Sequence, residues 1–238
     1  MQLYNIIKNQ PKYWLVDQIH KKNVTQAEYQ RAFRHILDEW HEQQVGYLSV
    51  LMDEAHENWP LSNGFEKVTS IVEYERGLDA LPEPEPGIEY HALSGGRITG
   101  SEYAALYDLC RTGSANKNEQ QKVDEVMDSL ERELGPNWRE HCYYFQKDEV
   151  MLGIGIPHIE MGTQDEGRLF YFGVAPEARG RGVGSALHKI TLKLLKKMGA
   201  SYYVGSTDTH NTGMIKIFQK NDCVLRDQKG MYRIEKKG

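Results

Sequence analysis

Apolar positions along this chain recur with two periods, and the alternation between them predicts the order of elements. Tyr29, Phe33, Ile36, Leu37 and Trp40 repeat at helical spacing behind Thr25-Gln26-Ala27-Glu28, which has the spacing of a capping box. A helix is therefore expected from Thr25 to just before Gly46. Tyr47 to Met52 reads as a buried strand, His56 to Ser62 as a short piece interrupted by Pro60, and Phe65 to Arg76 as a strand pair rich in β-branched residues. The first 24 residues, polar and dotted with aromatics, carry no assignable period. Further on, Ile88 to Leu93 reads as a strand. Thr99-Gly100-Ser101-Glu102 repeats the capping-box spacing ahead of Tyr103, Leu106, Tyr107 and Cys110. A second helix is expected over 117–134, ending at Gly135-Pro136, where glycine tolerates a left-handed cap and proline cannot continue. Strands follow at 141–147 and 150–160, turning at Lys147-Asp148-Glu149, and another at 168–174. The stripe Val183, Leu187, Ile190 and Leu194 marks a helix from Gly182 to Met198. A strand at 201–206, a short helix over 211–221 and a terminal hairpin or strand pair over 224–234 complete the pattern.

This order places antiparallel strands before a parallel strand-helix-strand unit. It predicts an α/β chain with a mixed sheet and helices on both faces. Residues 79–87, Asp-Ala-Leu-Pro-Glu-Pro-Glu-Pro-Gly, break the pattern. Alternating proline bars helix and central strand and favours a stiff, solvated spacer. The expected organisation is a unit at 1–78, a linker at 79–87 and a second unit at 88–238. A long proline-rich loop inside one domain is the alternative.

Bulk numbers narrow the class. With 39% hydrophobic and 26% charged residues, the 238-residue chain can bury a core and resembles an ordinary soluble protein. A net charge of -5 argues against non-specific nucleic-acid binding, which depends on neutralising phosphates. Cys110, Cys142 and Cys223 are odd in number and far apart, so reduced thiols and a cytoplasmic location are expected. The first residues hold no apolar run of signal-peptide length, and no segment approaches membrane-helix length. The nine histidines show no metal-ligand spacing, so no metal is expected.

The candidate chemistry sits at Arg179-Gly180-Arg181-Gly182-Val183-Gly184, between a strand and a helix. Such a turn leaves backbone amides unpaired at the positive end of the helix dipole. Its glycines let a bulky anion approach, and its arginines add charge suited to phosphate oxygens. The turn is neither a Rossmann fingerprint nor a P-loop. In isolation it is also readable as a tight turn beside two solvated arginines.

Its neighbours carry a resemblance. Val174-Ala175-Pro176-Glu177-Ala178-Arg179-Gly180-Arg181-Gly182-Val183-Gly184-Ser185-Ala186-Leu187 strongly resembles motif A of the GCN5-related N-acetyltransferases, the GNAT superfamily. Arg179, Gly182 and Gly184 fill its three defining positions. Asn211, opening a short helix downstream, resembles the second family signature. The resemblance covers roughly 88–238. It implies a GNAT-like fold in which strand 168–174 splays from strand 201–206. It implies acetyl-CoA as cosubstrate, with the pantetheine arm on the backbone of Phe172, Gly173 and Val174. The amide of Val174 would polarise the thioester carbonyl. The amides of Gly180, Arg181, Gly182, Val183, Gly184 and Ser185 would hold the pyrophosphate. A primary amine of a small molecule or peptide would attack directly.

Two positions depart from the family. Phe218 stands where many members place a tyrosine near the departing sulfur, and Arg168 stands where the histone-acetylating branch has its glutamate base. Asp208 and Glu160 are the candidate replacements for that base, each also readable as a solvated carboxylate. These departures favour a second expectation, a CoA-binding module with little catalysis that acts as sensor or scaffold. Residues 25–78 run helix, strand, short helix, strands, and Asn63-Gly64-Phe65-Glu66 resembles the Gly-Phe-Glu that closes the family's last helix. The first unit thus reads as a truncated GNAT-like half or as an unrelated extension. Completing the sheet, shaping the substrate site and forming a homodimer are its open roles.

Overall fold

A computed structural model of the chain describes residues 2–19, 21, 23–115 and 122–236. The chain forms two compact units, Met1–Val72 with Asp227–Gly238, and Glu73–Arg226. The proline-rich segment 79–87 lies inside the second. It is irregular, and helix 183–197 holds it: Lys193 pairs with Glu83 at 2.5 Å and Lys196 Nζ donates to the Asp79 carbonyl at 2.6 Å.

In the first unit β1 (Tyr4–Asn9) and β2 (Tyr13–Gln18) form an antiparallel hairpin where no period was legible. Helix α1 (Gln26–Glu42) crosses from β2 to β3 (Tyr47–Asp53), which pair in parallel. The short helix α2 (Asn58–Ser62) follows. Tyr29, Phe33, Ile36 and Trp40 of α1 are buried against Trp14, Val16, Leu48 and Val50, so the stripe read from sequence is the core face.

Two expected strand pairs are single strands. Residues expected as a pair over 65–76 form one strand, β4 (Glu66–Gly77), because no Gly, Pro, Asn or Asp interrupts it before Gly77. The terminal pair is likewise one strand, β10 (Val224–Glu235). Residues 229–235 of β10 pair antiparallel with β3, and Gly230 keeps it extended under the Tyr232 ring, whose oxygen lies 2.4 Å from where a Cβ would sit. Both strands cross the division between the units.

The second unit contains β5 (Glu89–Ala92), α3 (Gly100–Arg111), α4 (Val123–Leu134), a one-turn α5 (Trp138–His141), β6 (Tyr143–Lys147), β7 (Val150–Ile159) and β8 (Glu166–Val174). Helix α6 (Val183–Lys197), β9 (Tyr202–Asp208) and α7 (Thr212–Lys220) complete it. The expected helix start at 117 lies outside the described residues. The sheet order is β4-β9-β8-β7-β6-β5, parallel between β8 and β9 and antiparallel from β8 to β5. Adjacent strand residues point to opposite faces. Tyr144 of β6 thus joins the core under α3 and α4, and Phe145 joins Leu187, Ile190 and Leu194 of α6. Helices therefore cover both faces of this mixed sheet.

Candidate active site

The site begins where β8 and β9 part. They pair only at Glu166–Tyr202 and Gly167–Tyr203, and no further register pair forms between them among the described residues. On its other side β8 slips against β7: the step from Leu169 to Phe172 faces the shorter step from Pro157 to Gly155. The extra residue is a bulge, which bends and twists a strand, and Pro157 sits at the slip because it has no amide to donate. Beyond this point the strands enclose a cavity of about 740 Å³. Phe172, Gly173 and Val174 line one wall, Val204 and Gly205 the other, and the start of α7 closes the side.

The mouth of the cavity is the glycine turn. Gly180 and Gly182 have φ of 75° and 81°, a left-handed region costly for residues with a Cβ, and nothing lies within 4 Å of either Cβ position. Gly182 is the N-cap of α6 and supplies no side-chain bond to the first turn. The first turn of α6 thus has no side-chain cap, although the Ser185 amide donates to the Gly182 carbonyl at 3.1 Å. Gly184 has a different role. A Cβ there would meet Ile217 Cδ1 at 2.7 Å, so its missing side chain lets α6 approach α7.

Helix α1 in the first unit shows the opposite arrangement. Thr25 Oγ1 accepts from the Glu28 amide at 3.4 Å, and Glu28 Oε2 accepts from the Thr25 amide at 2.8 Å. That capping box uses locally the groups that α6 leaves open.

The two arginines of the turn part company. Arg179 directs three N–H groups at carbonyls: Nε to Val174 at 3.0 Å, one terminal nitrogen to Thr112 at 2.9 Å and the other to Cys110 at 2.9 Å. It ties the end of β8 to the C-terminus of α3. The expectation that its charge serves a phosphate is revised accordingly, since most of its donors are committed to protein. Arg181 is exposed beside the turn. Neither Arg181 nor Val183 lines the cavity, and Val183 packs with Phe145 and Leu187. Phe172, Gly173, Val174, Arg179, Gly180 and Gly182 do line it, as do Gly184, Ser185, Asn211 and Phe218. Asn211 caps α7, accepting from the Met214 amide at 3.1 Å and donating to Thr207 Oγ1 at 2.9 Å.

Neither candidate base lines the cavity. Asp208 Oδ1 accepts from the backbone and ring nitrogens of His210, at 2.8 and 2.9 Å. Glu160 pairs with His158 at 3.4 Å and with Arg168 at 3.9 Å. The His158 contact, with Arg168, holds the Glu160 carboxyl below its ordinary range.

Arg168 itself lines the inner cavity, donating to Glu166 at 2.7 Å and Glu73 at 3.3 Å. Glu73 is a residue the sequence reading missed. It lies on β4, far from motif A in sequence, and carries no local signature.

Phe218 is buried, stacked on Tyr74 at 5.1 Å and edge-on to His188 at 5.7 Å. His188 is fully buried. Its Nδ1 accepts from Asn221 Nδ2 at 3.0 Å, and burial lowers its pKa to about 3. Cys223 is buried with its thiol pushed up to about 12 by burial, as suits a small apolar residue rather than a nucleophile. Among the described residues no group of three or more side chains could hold a metal ion, and no helix is long and apolar enough to cross a membrane.

Comparison with known proteins agrees with this geometry. Residues 105–222 match the family described as "Acetyltransferase (GNAT) family". A mycothiol acetyltransferase of Streptomyces coelicolor is 22% identical over 173 residues, covering 72% of this chain and 55% of that protein. The chain thus spans about half the length of that relative. A GCN5-related N-acetyltransferase from Sphaerobacter thermophilus superposes with a TM-score of 0.62 at 16% identity, over 98% of this chain and 76% of the other. A tandem GNAT protein from the clavulanic acid biosynthesis pathway gives 0.59 at 14% identity, over 98% and 78%. At these identities the structural matches establish the fold.

Proposed function

We propose, from the premise that residues 105–222 belong to the acetyltransferase (GNAT) family, that this chain moves an acetyl group from acetyl-CoA to a primary amine of a small molecule or peptide. The observation that carries this reading is one continuous cavity. It joins the uncapped first turn of α6 to the slot between β8 and β9. The α6 amides would hold the pyrophosphate, with Arg181 adding charge at the rim. The unpaired edge of β8 at Phe172, Gly173 and Val174 would receive the pantetheine arm, and the Val174 amide would face the thioester carbonyl. The amine would attack that carbonyl directly.

The first unit, on this proposal, is a GNAT-like half that binds no donor. Its parallel β2-α1-β3 crossover and the match of the tandem relative over 98% of this chain support the likeness. The capping box on α1 argues against a donor there. A CoA-binding module without turnover is the second reading, and Phe218 favours it, because it offers no proton to the departing sulfur.

Two measurements separate them. Acetyl-CoA at a hundred times its Kd is expected to stabilise the protein by about 2.7 kcal/mol. Transfer to a panel of primary amines, followed by release of free CoA thiol, is expected for at least one amine. Absence of stabilisation overturns the donor site. Stabilisation without turnover on any amine overturns the enzyme in favour of the binding module.

A further inference from the structure

The acceptor end of the cavity lacks a base at the expected positions, yet a buried carboxylate lies one hydroxyl away. Arg168 and Ser206 line the cavity where β8 and β9 separate. Behind them Glu73, only 5% exposed, closes a triangle. Ser206 Oγ donates to Glu73 Oε1 at 2.9 Å, and one terminal nitrogen of Arg168 reaches Glu73 Oε1 and Ser206 Oγ, each at 3.3 Å. Ser206 is exposed, so a bound amine can reach its hydroxyl. Arg168 is fixed from its other edge by Glu166, whose second oxygen accepts from Tyr202 at 2.8 Å. Among the described residues the charged and titratable groups around the triangle include Arg168 and Glu166 from β8, His158 from β7, Glu160 just after it, Tyr202 from β9, and Arg226 from β10 with its partner Glu75. Asp208 and Glu160 are bonded elsewhere and do not line the cavity.

We infer that Glu73 is a positioning residue for the acceptor: through Ser206 it draws the proton from the attacking amine, and Arg168 fixes its carboxylate. This rests on the acetyltransferase reading above. The amine nitrogen forms the new bond to the acetyl carbon, and the carbon–sulfur bond breaks with its electron pair on sulfur. The nitrogen's surplus proton passes to Ser206 Oγ, and the hydroxyl's own hydrogen passes to Glu73. Glu73 then returns a proton through Ser206 to water or to the thiolate. The network suits an acceptor that presents an N–H donor to a hydroxyl oxygen. A merely structural ion pair would give Arg168 the same contacts, so the pH profile is the deciding measurement.

The full chain and its Glu73→Gln, Glu73→Asp and Ser206→Ala variants are assayed from about pH 4 to about pH 9, a range that spans ordinary carboxylate titration, on whichever panel amine the wild type acetylates fastest. Glu73→Gln is expected to lower kcat about 10²–10⁴-fold and to abolish the acid limb of the kcat profile, leaving acetyl-CoA affinity unchanged. Glu73→Asp should restore part of that limb. Ser206→Ala, which alters an exposed hydroxyl and keeps the fold, should show the same loss of limb. A wild-type acid limb in Ser206→Ala or in folded Glu73→Gln overturns the inference while the acetyltransferase reading stands. Acetyl-CoA binding with no turnover by the wild type on any amine overturns both.

Discussion

Arg179 and Arg181 lie two positions apart in one motif and do different work. Arg179 spends a planar fork on three carbonyls that end a strand and a helix. Its charge complements the negative end of α3. Replacing it with alanine is expected to cost about 2–3 kcal/mol, because the carbonyls lose a charged partner. Lysine would rescue little, having no fork. Arg181→Ala should leave the melting temperature unchanged and weaken acetyl-CoA about three- to ten-fold, with a smaller salt dependence. Thermal melts and acetyl-CoA titrations at two salt concentrations check both. Equal melting temperatures for the two variants would contradict the assignment of Arg179 as a clamp.

Helix α6 is buried along most of its length and carries two polar residues, His188 and Thr191, into the interior. Thr191 Oγ1 satisfies itself on the His188 carbonyl at 2.7 Å. His188 sits among the rings of Phe172, Tyr203 and Phe218 and is held neutral by burial, helped by Arg76. An unfolded chain protonates this ring below about pH 6.5, whereas the folded one resists until about pH 3. Between those values the unfolded state binds more protons, so stability present above pH 6.5 is lost as the pH falls. His188→Phe should flatten that part of the pH dependence. Melting temperatures at about pH 7 and about pH 5 test this, and an identical drop in variant and wild type would remove His188 as the cause.

Across the whole chain, two helices that each follow a strand in a parallel crossover treat their first turns differently. Thr25 and Glu28 close the first turn of α1, while Gly182 leaves that of α6 open. Acetyl-CoA is therefore expected to slow amide hydrogen exchange at 180–185 and along the start of α7, and to leave 25–29 unchanged. Protection at 25–29 would show donor binding in the first unit and refute its reading as a half without a donor site.

Much of this was legible because it is local. Helix stripes, capping boxes and the demand for glycine at 180 and 182 depend on neighbours within a few residues. Strand pairing was less legible: the first 24 residues hid a hairpin, and β4 and β10 looked like pairs, because a strand's partner is set by the sheet and not by its own period. The contact between Glu73 and Ser206 was not legible at all. Glu73 and Ser206 stand 133 residues apart, joined only by the placement of β4 beside β9. Sequence by itself determined a glycine-rich turn at the start of α6, where the proposed donor site lies. Only the tertiary structure decided that Arg179 is a clamp, that His188 is buried, and that a carboxylate stands behind the serine at the inner end of the slot.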